Sequence, residues 1–182
     1  MAQVIVPIKF TYQDYKLLPE EKRCELIEGE FFMSPAPKPY HQIVLGRLYR
    51  KFQEFFEDRH GGIVLLAPTD VVFSDEDVVQ PDLLVIEQAR FKIVQDECVR
   101  GAPDLIVEIL SPTTIERDRV IKKKLYGRYG VREYWIVDPD AKTVEVLKLS
   151  EAGLETVRVY PQGLEVQSVL WPQLKIPLNA LF

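Results

Sequence analysis

Gln80-Pro81-Asp82-Leu83-Leu84-Val85-Ile86 and Gly101-Ala102-Pro103-Asp104-Leu105-Ile106-Val107-Glu108-Ile109-Leu110 decide the fold. Each enters through Pro-Asp and continues as a nearly unbroken apolar run. Strands apolar on both faces belong to the middle of a sheet rather than to its edge. Downstream, Ser111-Pro112-Thr113-Thr114 ends the second strand and caps a helix from about Glu116 to Tyr129, stopped at Gly130, a residue suited to a left-handed cap. Glu133 to Asp138 is the next strand, Pro139 to Lys142 turns it into Thr143 to Leu149, and Glu155 to Tyr160 and Leu164 to Val169 extend the β-type pattern.

Upstream, Val44, Leu45, Leu48, Phe52, Phe55 and Phe56 recur at helical spacing, predicting an amphipathic helix from His41 to about Asp58 that begins near Pro39. Gly61-Gly62 stops it, and short β-type runs follow at Ile63 to Ala67 and Val71 to Phe73. Before the helix, Cys24 to Met33 folds as a hairpin about Glu28-Gly29. Pro35, Pro37 and Pro39 make the connector extended. The expected fold class is α/β, one domain over residues 1–182 with a core spanning about residues 24–149.

The chain has 182 residues, 47% hydrophobic and 28% charged, within the range of packed globular proteins. Two cysteines and two histidines support neither a disulfide framework nor a Cys/His zinc site. The start, Met1 to Pro7, carries no basic-then-apolar leader, and no apolar run reaches the length of a membrane span, so a cytoplasmic location without a membrane partner is expected. A net charge of −5 argues against non-specific coating of nucleic acid. Any such site must be local. Between Arg117 and Arg128 six bases face Asp118 alone.

Two acids interrupt the apolar strands, Asp82 and Glu108, and a buried carboxylate needs hydrogen bonds, a base or a metal. Asp104 is excluded as a partner of Glu108, because four residues along one strand separate them by about 13 Å. Asp82 comes from a separate strand that can lie alongside. With the carbonyl of Ile109 the two acids form an oxygen-rich site suited to Mg2+ or Mn2+. On the following helix, at about 100° per residue from Asp118, Lys122 falls at about +40° within the arc of Ile121, Leu125, Tyr129 and Tyr126, whereas Lys123 and Lys124 fall outside it. A surface pair with Asp118 is the simple explanation of Lys122. The functional one is that its ammonium supports an attacking water or the charge growing on a phosphate. Arg117, Arg119 and Lys123 would then grip neighbouring phosphates.

Other candidates are secondary. His41 continues the apolar stripe of its helix and reads as a core-edge histidine or an accessory catalytic group. Glu25, Glu28 and Glu30 read as hairpin-surface acids, with Glu30 able to turn toward the metal side. No GxSxG, P-loop or Rossmann glycine pattern is present.

Glu25 to Glu30, Ser34-Pro35-Ala36-Pro37 with His41, Gln80-Pro81-Asp82, Gly101 to Pro112, Arg117-Asp118 with Lys122, and Gly130 to Pro139 occur in an order that resembles a family described as putative restriction endonucleases, within the PD-(D/E)XK superfamily. The resemblance implies a restriction-endonuclease-like mixed sheet flanked by helices, here with added antiparallel strands at both ends, and a magnesium-dependent phosphodiesterase site. Asp82 matches the motif aspartate and Glu108 the second acid. Leu110 stands where the motif has lysine, so Lys122 would have to reach the same space. The expected activity is endonucleolytic hydrolysis of DNA, and the alternative a catalytically inactive nucleic-acid-binding or regulatory module on the same fold. Cutting both strands needs two sites, so a homodimer is expected, joined through the C-terminal strands or Trp171.

Overall fold

The computed structural model describes residues 8–19, 23–56 and 60–182. The reading of Met1 to Pro7 and the helix end near Asp58 lie outside the described residues. In chain order the elements are α1 (Tyr12–Tyr15), β1 (Cys24–Ile27), β2 (Glu30–Met33), α2 (Pro39–Phe55), β3 (Gly62–Leu66), β4 (Val71–Ser74), β5 (Asp77–Val79), β6 (Leu83–Glu87), β7 (Val99–Arg100) and β8 (Leu105–Ile109). A π-helical segment, Arg117–Lys122, then runs directly into α3 (Lys123–Tyr129). Strands β9 (Glu133–Asp138), β10 (Thr143–Ser150), β11 (Gly153–Pro161), β12 (Glu165–Gln167) and β13 (Lys175–Pro177) complete the chain.

The two Pro-Asp runs become β6 and β8, neighbours inside a six-stranded sheet of order β11-β10-β9-β8-β6-β3. The sheet is mixed, because β8 runs antiparallel to β6 and parallel to β9. Alternate side chains leave a strand on opposite faces. Leu83, Val85, Leu105, Val107, Trp135 and Val137 therefore pack on one face against Val44, Leu48 and Phe52 of α2. Leu84, Ile86, Ile106, Tyr134 and Ile136 pack on the other against Leu125 and Tyr126 of α3 and against Ile27, Val71 and Val79. Those last three belong to a second sheet, of order β2-β1-β5-β4-β7.

Local chemistry fixes the ends of these elements. Pro39 opens α2, where its missing N–H costs nothing. Glu28 and Gly29 both take positive φ, 53° and 79°, which gives the β1–β2 hairpin the tight turn the sequence predicted. Gly130 ends α3 in the left-handed region with φ 83°. The predicted α-helix at Glu116 to Tyr129 differs in its first half, where the segment carrying Asp118 and Lys122 is wound as π-helix. Trp171, expected at an interface, is instead buried edge-on against Phe56, and its Nε1 donates to Glu87 at 3.1 Å. Among the described residues no helix is long and apolar enough to cross a membrane.

Candidate active site

Strand register brings the two acids together. Leu83 pairs with Val107 and Leu84 with Ile106, so one step further along the same antiparallel ladder sets Asp82 opposite Glu108. Both side chains leave the sheet on the face turned toward α3 and the second sheet. Asp82 Oδ2 accepts from the Ile109 backbone N–H at 2.8 Å and lies 3.1 Å from His41 Nε2. His41 thus reaches the site from the first turn of α2, at the end of the apolar stripe where the sequence put it.

Glu108 is held from the other side. Its Oε1 accepts from Lys122 Nζ at 2.8 Å and from the Tyr126 hydroxyl at 2.6 Å. Lys122 is only 4% exposed. Its ammonium also meets Glu25 Oε1 at 2.8 Å and Asp118 Oδ1 at 3.5 Å, the latter being the pair expected from the i, i+4 spacing. Arg117 crosses to the second sheet and donates to Glu25 Oε2 at 3.2 Å and to the Met33 carbonyl at 3.3 Å. Gln80 N–H donates to Glu25 Oε1 at 3.0 Å.

These groups line a cavity of about 280 Å³ together with the Ser34 to Lys38 connector and Ser111 to Thr114. Glu25, Glu108 and Asp118 share Lys122, Glu25 also takes Arg117, and Asp82 faces His41, so four carboxylates meet two fixed cations and one titratable histidine. Burial pushes the Glu108 carboxyl well above the usual range, Lys122 opposes that, and Asp118, Asp82 and Glu25 add to it. Asp118 is raised for the same reason, burial first. For Lys122 burial works against the charged form, yet Glu108, Glu25 and Asp118 outweigh it and hold the ammonium protonated. At His41 burial likewise lowers the pKa, but the bond to Asp82 and its charge turn the net shift upward.

The donor chemistry suits a hard divalent ion. Among the described residues no three His, Cys, Asp or Glu side chains form a ready-made metal cluster. However, the bonds of Asp82 fall on Oδ2 and those of Glu108 on Oε1, both acids line the cavity, and Ile109 lines it beside them. Oxygen-only coordination of this kind favours Mg2+ or Mn2+ over softer metals.

The family model of Uma2, described as "Putative restriction endonuclease", matches residues 11–179. The chain belongs to this family. A crystal structure of "a putative nuclease belonging to DUF820" from Anabaena variabilis ATCC 29413 superposes with a TM-score of 0.78 at 24% identity, covering 97% of this chain and 98% of that one. The fold is therefore the restriction-endonuclease-like mixed α/β fold expected from the sequence. No curated protein matches the chain.

In this Uma2 member the remaining expectations divide. Glu30 is exposed and borders a separate depression with Lys9, Glu28 and Glu76, so it does not turn toward Asp82 and Glu108. Glu25, assigned to the hairpin surface, is instead only 2% exposed and bonds Lys122. The sequence signal for Glu25 was strand parity, since Glu25 shares a face with Ile27, but that face is buried only because a second sheet exists. Of the three bases proposed for phosphates, Arg117 lines the cavity. Arg119 and Lys123 do not, because they leave the helix on another side: Arg119 is tied to Glu145 at 2.7 Å, and both border a groove with Lys124 and Gly153. Tyr126, read only as part of the apolar arc, and Asp118, read only as a partner for Lys122, both join the cluster.

Proposed function

We propose that this protein is a metal-dependent endonuclease that hydrolyses DNA phosphodiester bonds through a PD-(D/E)XK-type site with a displaced lysine. Asp82 and Glu108 would hold Mg2+ or Mn2+ with the Ile109 carbonyl, and Lys122 takes the place of the motif lysine that Leu110 cannot supply. The observation that carries the reading is the 2.8 Å contact of Lys122 Nζ with Glu108, made from the helix after β8 rather than from β8 itself. Family membership over residues 11–179 supports a nuclease.

Each residue then has a role. Ile109 N–H and His41 fix the Asp82 carboxylate by holding Oδ2. Lys122 and Tyr126 fix Glu108 by holding Oε1, which leaves Oε2 toward the cavity. A bound divalent ion would polarise the phosphate and ease deprotonation of water. The Lys122 charge stabilises the negative charge that grows on the phosphate oxygens as the bond breaks. Arg117 holds Glu25 in place, so that Lys122 is gripped from two sides. For duplex cleavage two copies would act together, and the long, exposed edge strand β11 is the face available for pairing.

One observation favours the non-catalytic reading: the three protons of Lys122 Nζ face three carboxylates, which leaves none directed at a substrate. Incubating the protein with supercoiled plasmid and Mg2+ or Mn2+ separates the two readings. Nicking that chelator and Asp82→Ala both abolish supports the nuclease. Equal background in every lane supports the inactive module.

A further inference from the structure

The basic cluster that stands out in the sequence, Arg117 to Arg128, is largely spent inside the molecule. Arg117 and Lys122 hold Glu25, Arg119 holds Glu145, and Arg128 holds Glu28 and Asp77. Free positive charge lies elsewhere. Between Glu30 and Glu54 the chain has no acid at all, in a protein whose net charge is −5, and it carries Lys38, Arg47, Arg50 and Lys51 there. Arg47 donates to the Leu181 carbonyl at 2.9 Å and Lys51 pairs with Glu54 at 3.1 Å. Lys38 and Arg50 are exposed, and among the described residues neither side chain has an ion pair.

Lys38 caps α2 and Arg50 lies on it, and the outer face of this helix has two more features that its own packing does not explain. Tyr40 and Ile43 are 39% and 48% exposed there. Gly46 sits mid-helix, also exposed, at a position where glycine weakens a helix relative to alanine. Nothing in the chain requires it, because an added Cβ would meet no atom within 4 Å. At about 100° per residue Tyr40, Ile43, Arg50 and Gly46 fall within an arc of about 120°, turned away from Val44, Leu48 and Phe52, which pack on the sheet. A glycine without an internal reason, among exposed apolar groups and an unpaired base, marks a place where something outside the chain approaches the helix backbone.

We propose that the outer face of α2 is a docking surface for the sugar-phosphate backbone of duplex DNA. The choice of DNA as the polyanion rests on the nuclease reading, whereas the face itself rests on charge and clearance. Lys38 and Arg50 meet phosphates, Tyr40 and Ile43 pack against the sugars between them, and Gly46 lets the strand come close to the helix. From Lys38 to Arg50 the helix rises about 18 Å, roughly five nucleotide steps of one strand. The N-terminal end of the face is continuous with the candidate active site, since Lys38 lines that cavity. A second copy fits the face less well. A two-fold contact would set this surface against itself, base against base, with no acid in residues 31–53 to offset the repulsion.

The test is fluorescence anisotropy of a short labelled DNA duplex titrated with the full chain in excess chelator, over a range of salt concentrations, so that neither metal nor cleavage contributes. Wild type should bind, with affinity falling as salt rises. Replacing Lys38→Gln and Arg50→Gln together should weaken binding by about tenfold or more and reduce the salt slope by about two, one for each phosphate contact. Gly46→Gln should raise the Tm, because glutamine is the better helix former, and yet weaken binding by about tenfold. A glycine with a purely structural role would not separate those two readouts. Lys124→Gln, an exposed base on α3, should bind like wild type. Absence of binding by wild type overturns the inference, as does wild-type affinity in either the double variant or Gly46→Gln. A loss in Lys124→Gln as large as in the double variant also overturns it, since binding would then follow overall charge. Sedimentation showing a wild-type dimer that Gly46→Gln turns into monomer, with DNA affinity unchanged, would assign the face to a second copy instead. Binding that depends on Lys38, Arg50 and Gly46 without plasmid nicking would leave the surface standing and sink the nuclease reading. Asp82-dependent nicking with unchanged binding in these variants would do the reverse.

Discussion

Replacing Lys122 by methionine keeps the apolar stem and removes the charge on which three buried carboxylates converge. Glu25 and Glu108 each lie 2.8 Å from the ammonium and Asp118 lies 3.5 Å away. Breaking a buried charge group by deleting one partner costs about 3–5 kcal/mol. In a chain of 182 residues that corresponds to a fall in Tm of at least about 6 °C. The cost depends on pH, and its sign follows from the acids. Glu108 and Asp118 already stand above their ordinary values in the parent, chiefly through burial, and Lys122 opposes the rise. Without the lysine they rise further. A carboxyl with a raised folded pKa keeps its proton when the unfolded chain, titrating near 4, has lost it, so stability drains away as pH rises through that window. Each proton so held weakens the fold by about 1.4 kcal/mol per pH unit. Lys122 itself stays charged across this range, because its folded pKa lies well above the ordinary lysine value. Circular-dichroism melts at pH 5.5 and pH 8 should therefore show a Tm gap between parent and Lys122→Met that widens at pH 8. A variant that melts with the parent at both values refutes the assignment of Lys122 as the compensating charge.

Three further substitutions give checkable outcomes. Glu108→Gln keeps an acceptor for Lys122 and Tyr126 while removing the charge, so the melt should change little, whereas metal-dependent nicking should drop by more than the about 10–100-fold typical of outer-shell partners. His41→Asn frees Asp82 and should raise the Mn2+ concentration needed for half-maximal nicking by about tenfold or more. Because the histidine pKa is raised in the fold, its contribution to stability is present at low pH and is lost as pH climbs through that raised value, so the Tm deficit of His41→Asn should be larger at pH 5.5 than at pH 8.5. Gly130→Ala meets no steric obstacle, yet forces φ 83° on a residue with a Cβ, and should cost about 1–2 kcal/mol in a denaturant titration with no effect on nicking.

The central sheet was readable because its strands carry their signal locally. Two-sided apolar runs mark β6, β8 and β9, and these are the strands buried on both faces. Strand β5 was missed because Asp77-Val78-Val79 is three residues long and begins with an acid. That acid is buried through Arg128, Tyr129 and Ser74, partners that no local pattern reveals. Asp104 was rightly set apart from Glu108 by distance, and its burial has its own explanation, since Arg90 and Arg132 bind it at 2.6 and 3.0 Å.

The site divides along the same line. Asp82 and Glu108 follow from neighbouring strands, and Lys122 from angle alone, although the helix that bears it is not α-helical where the angle was reckoned. The estimate survived because Asp118 and Lys122 share a face in either winding, and their 3.5 Å contact registers that. Its limit was in what it took the lysine to face. Helical angle says which side of a helix is buried, but the partners on that side come from other elements. Glu25 sits on β1, in a second sheet whose existence depends on β5 and on a turn at Glu28-Gly29. Once that sheet covers α3, Glu25 closes the cluster and Lys122 passes from an ally of one acid to the shared counter-charge of three. The convergence of Glu25, Glu108 and Asp118 on one buried lysine is therefore a property of tertiary assembly, which the pattern of no single segment carries.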